Sequence, residues 1–144
     1  MFCFYLILSI CWFVFMTWLS HQNGERTSAT SRELACRLEA LLAFLPHGPQ
    51  EEERLNSALR KTAHCVVFAV LTLLTAMTLW TAPFAVPGPA YLLWLGILLG
   101  WAWGDERTKR MIPGRHFSWY DVGLNALGVA LGALTLYMLY LRRP

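Results

Sequence analysis

DERTKRMIPGRHFSWYDVGLNALGVALG, residues 105–132, is the stretch that decides how the chain folds. A charged loop turns at Pro113-Gly114 and passes into an apolar segment whose first polar residues are Asp121 and Asn125. These two stand at i and i+4 and share one helical face. Gly128 and Gly132, at i+7 and i+11, continue almost the same face. A carboxylate near the start of a membrane helix is costly unless it has a partner or reaches water. Arg115, in the loop before it, is the nearest partner in sequence. The stretch therefore predicts a polar site at a membrane edge, backed by a close helix contact at the two glycines.

Working outward, composition sets the class. The chain has 144 residues, of which 56% are hydrophobic and 15% charged. Soluble domains carry about a quarter charged residues, so the composition is that of a membrane protein, and the length is that of one domain, 1–144. A net charge of +3 with no long basic run excludes a nucleic-acid partner. Basic loops of this kind suit anionic headgroups or a topology signal.

Four apolar spans follow, at about 1–19, 62–81, 90–104 and 120–141. A crossing takes roughly 20 residues, so the third is short unless 84–89 also lies within the membrane. The segment TAPFAVPGPA, 81–90, is an uncharged turn of prolines and glycine that makes its neighbours antiparallel. Residues 1–19 are read as a retained helix, not a leader. Lys and Arg are absent before Arg26, and Ile10 stands where the lipoprotein-like Leu8-Ser9-Ile10-Cys11 needs a small residue.

The predicted fold is all-α, with four transmembrane helices and an amphipathic interfacial segment, about 31–60, between the first two. In that segment Leu34, Leu38, Leu41, Leu42 and Leu45 recur at helical spacing, with Ser31 or Thr30 as N-cap and Pro46 and Gly48-Pro49 as the stop. Glu51, Glu52 and Glu53 favour a further helix start near Gln50 that runs into the second span. Arg26, Arg32, Arg37, Arg54, Arg60 and Lys61 precede the second span, and Arg107, Lys109, Arg110 and Arg115 precede the fourth. Only Arg142 and Arg143 lie on the other side. That bias places both charged segments in the cytoplasm.

Cys3, Cys11, Cys36 and Cys65 have no paired spacing and form neither a disulfide framework nor a clustered zinc site. Ser-His-Asp order, P-loop and HExxH are absent. The chemistry instead lies in three groups that antiparallel spans bring to one membrane surface. They are Lys61 and His64 at the start of the second span, Asp105 and Glu106 at the end of the third, and Arg115, Asp121 and Asn125 at the start of the fourth. Histidine moves protons near neutral pH. Arg115 with Lys61 can grip a phosphate, the guanidinium in bidentate fashion. Carboxylates with an amide and an imidazole can also hold a divalent metal. The plainer alternatives are a solvated loop for Glu106, a helix-dipole contact for Asp121, and interhelix bonds for Asn125 and His64. Gly96, Gly100 and Gly104 predict a close-contact face on the third span. Trp80, Trp94, Trp101, Trp103 and Trp119 read as interface anchors. His21, His47 and His116 are assigned no role.

These residues resemble the VanZ-like family of small bacterial membrane proteins. The likeness begins with Arg60-Lys61-Thr62-Ala63-His64, against the family's Lys-x-x-His. It continues through Asp105-Glu106 and Ile112-Pro113-Gly114-Arg115 to Asp121, Asn125, Gly128 and Gly132. Ser20-His21-Gln22 resembles the family's weaker Ser-x-Gln region. Two positions depart from the pattern. Thr108-Lys109 stand where the family has His-Gln, and Arg60 stands where it has an acidic residue. Both changes add charge and favour a phosphate over a metal. The resemblance implies a bacterial inner-membrane protein of the cell envelope, in a family associated with teicoplanin resistance. The expected ligand is a membrane lipid or lipid-linked cell-wall precursor, with no cofactor and no metal. In that reading Arg115 and Lys61 contact the anion, Asp105 and Glu106 complete the site, His64 and Asp121 orient it or exchange protons, and Asn125 fixes the helices. Binding alone and turnover at a lipid-linked phosphate stand as alternatives. The rival is a non-catalytic scaffold whose polar cluster only holds the bundle together.

Overall fold

A computed structural model describes residues 1–22 and 49–141. Among them are four helices and no strand: α1 (Phe2–Ser20), α2 (Pro49–Trp80), α3 (Gly88–Lys109) and α4 (Trp119–Leu141). The leucine-rich stretch 31–48 of the expected interfacial segment lies outside the described residues. The helix expected from about Gln50 starts at Pro49 and runs unbroken into the second apolar span.

Local chemistry accounts for the boundaries. Pro87 is extended, and α3 opens with a proline at its first positions, where a missing N–H costs nothing. Ser118 caps α4, its Oγ accepting the Asp121 N–H at 3.2 Å, and Asp121 lies in the first turn, where a carboxylate meets the positive end of the helix dipole. Gly114 turns the α3–α4 loop with φ +76°, a conformation that residues with a Cβ rarely adopt.

Side-chain contacts give the directions of the helices. Phe2 at the start of α1 meets Phe84 in the α2–α3 turn, ring centroids 6.4 Å apart. Further along α1, the hydroxyls of Ser9 and Thr78 lie 3.0 Å apart, and Trp12 Nε1 donates to the Val67 carbonyl at 3.0 Å. Rising numbers in α1 thus meet falling numbers in α2, so the two are antiparallel. Trp94 Nε1 donates to Thr75 Oγ1, which ties α3 back onto α2. Helices α2 and α4 run the same way: Gly128 sits on Cys65 and Phe68, and Gly132 on Ala69 and Thr72. The result is an up-and-down bundle. The end of α1, the first part of α2, the end of α3 and the start of α4 share one end.

The burial pattern is that of a membrane bundle. The apolar core is small: Met16, Phe68, Leu71, Leu98, Ala102 and Val129, with Trp12, Trp94 and Trp101 packed against it. Ser9, Thr72, Thr78, Asp105, Glu106, Lys109 and Asn125 are buried beside it, while Phe4, Ile7, Val14, Trp18, Leu92, Leu93, Leu134 and Met138 face outward. Lipid tails are as apolar as leucine, so helix association rests on close packing and interhelix hydrogen bonds.

Two expectations change here. Trp94 and Trp101, expected as interface anchors, are half-buried and packed against the core; Trp103 and Trp119 remain exposed. Gly96 and Gly100 make no close contact, since a Cβ built at either would meet nothing within 4 Å. Among the described residues, three helical stretches, Phe2–Ser20, Ser57–Trp80 and Trp119–Leu139, are long and apolar enough to cross a membrane. Helix α3 falls short of that standard because its glycines, tryptophans and tyrosine dilute its leucines and its last turns carry Asp105, Glu106, Arg107 and Lys109.

Candidate functional site

The polar end is built outward from α3, which extends past Gly104 to Lys109. Asp105 and Glu106 therefore lie inside a helix, not in a loop. Lys109, at i+4 and i+3 from them, bonds both carboxylates: Nζ lies 3.1 Å from Asp105 Oδ2 and donates to Glu106 Oε1. Asp105 is 2% exposed, Glu106 1% and Lys109 4%. Charges so fully buried persist only when paired and hydrogen-bonded. Asp105 Oδ2 also accepts from Ser20 Oγ at 2.8 Å, which fastens the end of α1 to the end of α3. Arg115 is half-buried, and its Nη1 donates to the Ser20 carbonyl. Thus Arg115, Ser20, Asp105 and Lys109 form one connected chain from the α3–α4 loop into the bundle.

A second chain crosses α2, α3 and α4. Asn125 is fully buried. Its Nδ2 donates to the Ala102 carbonyl at 3.3 Å, which sets the amide so that Oδ1 faces His64 Nδ1, 3.0 Å away. An amide oxygen only accepts, so His64 Nδ1 donates and carries the hydrogen. Nε2 remains as the nitrogen for a ligand or a proton. One ring nitrogen of His64 and one oxygen each of Glu106 and Asp121 lie within 4.8 Å of one another, on three different helices. These are donor types that a divalent cation accepts. Lys109 already engages Glu106, so a cation drawing on that carboxylate competes with a built-in ammonium.

The glycines of α4 permit this convergence. A Cβ at Gly128 would collide with the Cys65 carbonyl, and one at Gly132 would lie 2.7 Å from Thr72 Cβ and 2.8 Å from the Ala69 carbonyl. Backbone contact along α2 and α4 brings His64 level with Asn125.

Of the residues singled out from the sequence, His64, Asp105, Glu106, Asp121 and Asn125 come together, and Arg115 joins through Ser20. Lys61 does not join them. It is exposed, with its ammonium 5.3 Å above the Tyr120 ring centroid. Lys109, and Ser20, which enters only through the Ser-x-Gln likeness, are the residues that the sequence did not place in the site. The signal for Lys109 was its spacing from Asp105 and Glu106, hidden by ending the helix at Gly104.

The loop itself makes the remaining feature. Residues 110–117 line an open cavity of about 780 Å³ whose polar groups include Arg110, Arg115 and His116. The same bundle end thus offers basic side chains in the loop and a half-buried His–carboxylate cluster among the helices, linked through Arg115, Ser20, Asp105 and Lys109. Compared with known proteins, residues 2–140 match the family described as VanZ/LLP1. No curated protein and no solved structure matches the chain.

Proposed function

The chain belongs to the VanZ/LLP1 family, and on that premise we propose that it is a bacterial envelope protein that engages a phosphate-bearing amphiphile at the polar end of its bundle. The ligand is a membrane lipid or a lipid-linked cell-wall precursor. Family membership is consistent with a membrane protein associated with glycopeptide resistance, and tolerance follows in this reading from occupancy of such a precursor. All four helices cross the inner membrane, α3 included, with the charged segments on the cytoplasmic side.

One observation carries the proposal: Arg110 and Arg115 line an open cavity at the end of the bundle where His64, Glu106 and Asp121 converge. Guanidinium groups are the side chains suited to bidentate capture of phosphate. A headgroup held there leaves its acyl chains against the outward apolar faces of the helices. In this reading His64 and Asp121, at the same end of the bundle, are the proton-exchanging pair. Lys61 steers anions from the exposed face of α2, and Asn125 keeps the imidazole in one tautomer.

The test compares two lipids with the same tails. Phosphatidic acid carries a phosphate monoester and diacylglycerol does not. Ligand that binds only the folded protein raises its melting temperature. The wild-type protein in detergent is expected to melt higher with phosphatidic acid and unchanged with diacylglycerol. The difference is expected to vanish in Arg110→Ala/Arg115→Ala. An equal response to both lipids contradicts the phosphate reading.

A further inference from the structure

Among the described residues, three buried side-chain atoms have no hydrogen-bond partner in the protein: Thr17 Oγ1, Trp101 Nε1 and Asp105 Oδ1. All three belong to one seam. On α1, Phe13, Thr17 and Ser20 recur at i, i+4 and i+7 and share a face. On α3, Trp101 and Asp105 stand at i and i+4. The rings of Phe13 and Trp101 are 4.9 Å apart, and Ser20 Oγ lies 2.8 Å from Asp105 Oδ2. Thr17 lies between these two contacts. The unpartnered atoms of the two helices therefore face the same stretch of interface, which runs from the Asp105 carboxylate held by Lys109 to Thr17 and Trp101 one turn deeper in the bundle.

Their chemistry selects the occupant. An indole N–H only donates, a carboxylate oxygen only accepts, and a threonine hydroxyl does both. A metal cation or ammonium cannot accept from Trp101. A fully ionised anion cannot donate to Asp105. One neutral oxygen that accepts from Trp101 and donates to Asp105 satisfies both and still has capacity for Thr17. Buried water typically makes about three such bonds to groups that otherwise lack partners.

We propose that the α1–α3 seam is a binding site for a long-lived water molecule, held by Thr17 Oγ1, Trp101 Nε1 and Asp105 Oδ1. The water completes the solvation of Asp105, the carboxylate shared by Lys109 and Ser20, and carries the polar site down one turn between two apolar helix faces. This site stands independently of the phosphate-ligand reading.

Two measurements on the full chain in detergent test it. In protein carrying ¹⁵N-tryptophan, with the Trp101 indole assigned by its loss in Trp101→Phe, the Trp101 Nε1–H is expected to show cross-relaxation to the water resonance. A bound water gives nuclear and rotating-frame effects of opposite sign there. Cross-peaks to lipid or detergent hydroxyl resonances instead would overturn water in favour of an amphiphile hydroxyl, and no cross-peak would mean a dry seam. The second measurement is the melting temperature of Thr17→Val. If water bridges the seam, removing the hydroxyl costs a bond, and the midpoint falls by roughly 2–6 °C. If the hydroxyl is dry, removing an unsatisfied polar group leaves the midpoint unchanged or raises it, which overturns the proposal.

Discussion

Lys109 is the residue on which the polar end turns. It is one ammonium shared by two carboxylates that are both almost wholly buried, so removing it strands charge in a low-dielectric interior. Breaking a buried pair in this way typically costs about 3–5 kcal/mol. Lys109→Met is expected to lose stability on that scale in chemical unfolding from detergent. Adding Asp105→Asn and Glu106→Gln is expected to recover a large part of the loss. An unchanged midpoint for Lys109→Met would show that the carboxylates are solvated, not held. Asn125 works differently, since it donates to Ala102 and accepts from His64. Asn125→Leu leaves a carbonyl and an imidazole N–H unpaired, at about 1–3 kcal/mol for a buried unsatisfied group. Binding of phosphatidic acid, measured on the same samples, is expected to weaken in the fraction that remains folded. The acid and imidazole members of this cluster were legible in the sequence because helical spacing alone aligns Asp121 with Asn125 and antiparallel order alone brings in His64. Lys109 was not, because it looked like one cation of a solvated loop as long as the helix was taken to end at Gly104.

At the scale of elements, the contrast between two glycine rows shows what sequence can and cannot settle. Gly128 and Gly132 lie against the α2 backbone and side chains, whereas Gly96 and Gly100 have open space where a Cβ would sit. Small-residue spacing is the same kind of signal in both helices. Which face meets a neighbour depends on how the bundle closes, and only the first row was rightly placed. Gly128→Ala is expected to push α2 and α4 apart and to lower the melting temperature sharply, and Gly132→Ala to do so less. Gly96→Ala and Gly100→Ala are expected to be neutral or stabilising, by up to about 1 kcal/mol of helix propensity. Equal losses in both rows would mean that α3 has a close neighbour on its glycine face. Trp94 and Trp101 carry the same lesson. Their positions near the ends of an apolar run suggested the membrane interface, and the structure packs both, half-buried, against the core.

For the whole molecule, the proposed topology is four crossings with the charged segments together. Helix α3 is the one whose crossing composition alone does not carry. Phe84 in the α2–α3 turn and Met111 after α3 are both exposed, so single cysteines there, on a background without the native ones, report the sides of the membrane. Phe84→Cys is expected to react with an impermeant thiol reagent on intact cells, and Met111→Cys only after permeabilisation. Labelling of both from the same side would mean that α3 lies on the membrane and does not cross it. The antiparallel bundle and its single polar end were legible from span order and turn chemistry. The helix running back to Pro49 was signalled by the acidic run before the second span.

The central claim is that this polar end holds a phosphate-bearing amphiphile. Its most direct test is native mass spectrometry of the protein released gently from its own membrane, beside an Arg115→Ala/Asp121→Ala variant whose helical content and melting confirm folding. The account predicts a discrete added mass that fragments to a phosphate-bearing lipid in the wild-type protein and is lost from the variant. Equal lipid on both, or none on either, would contradict it and leave the cluster as the fastening of a scaffold.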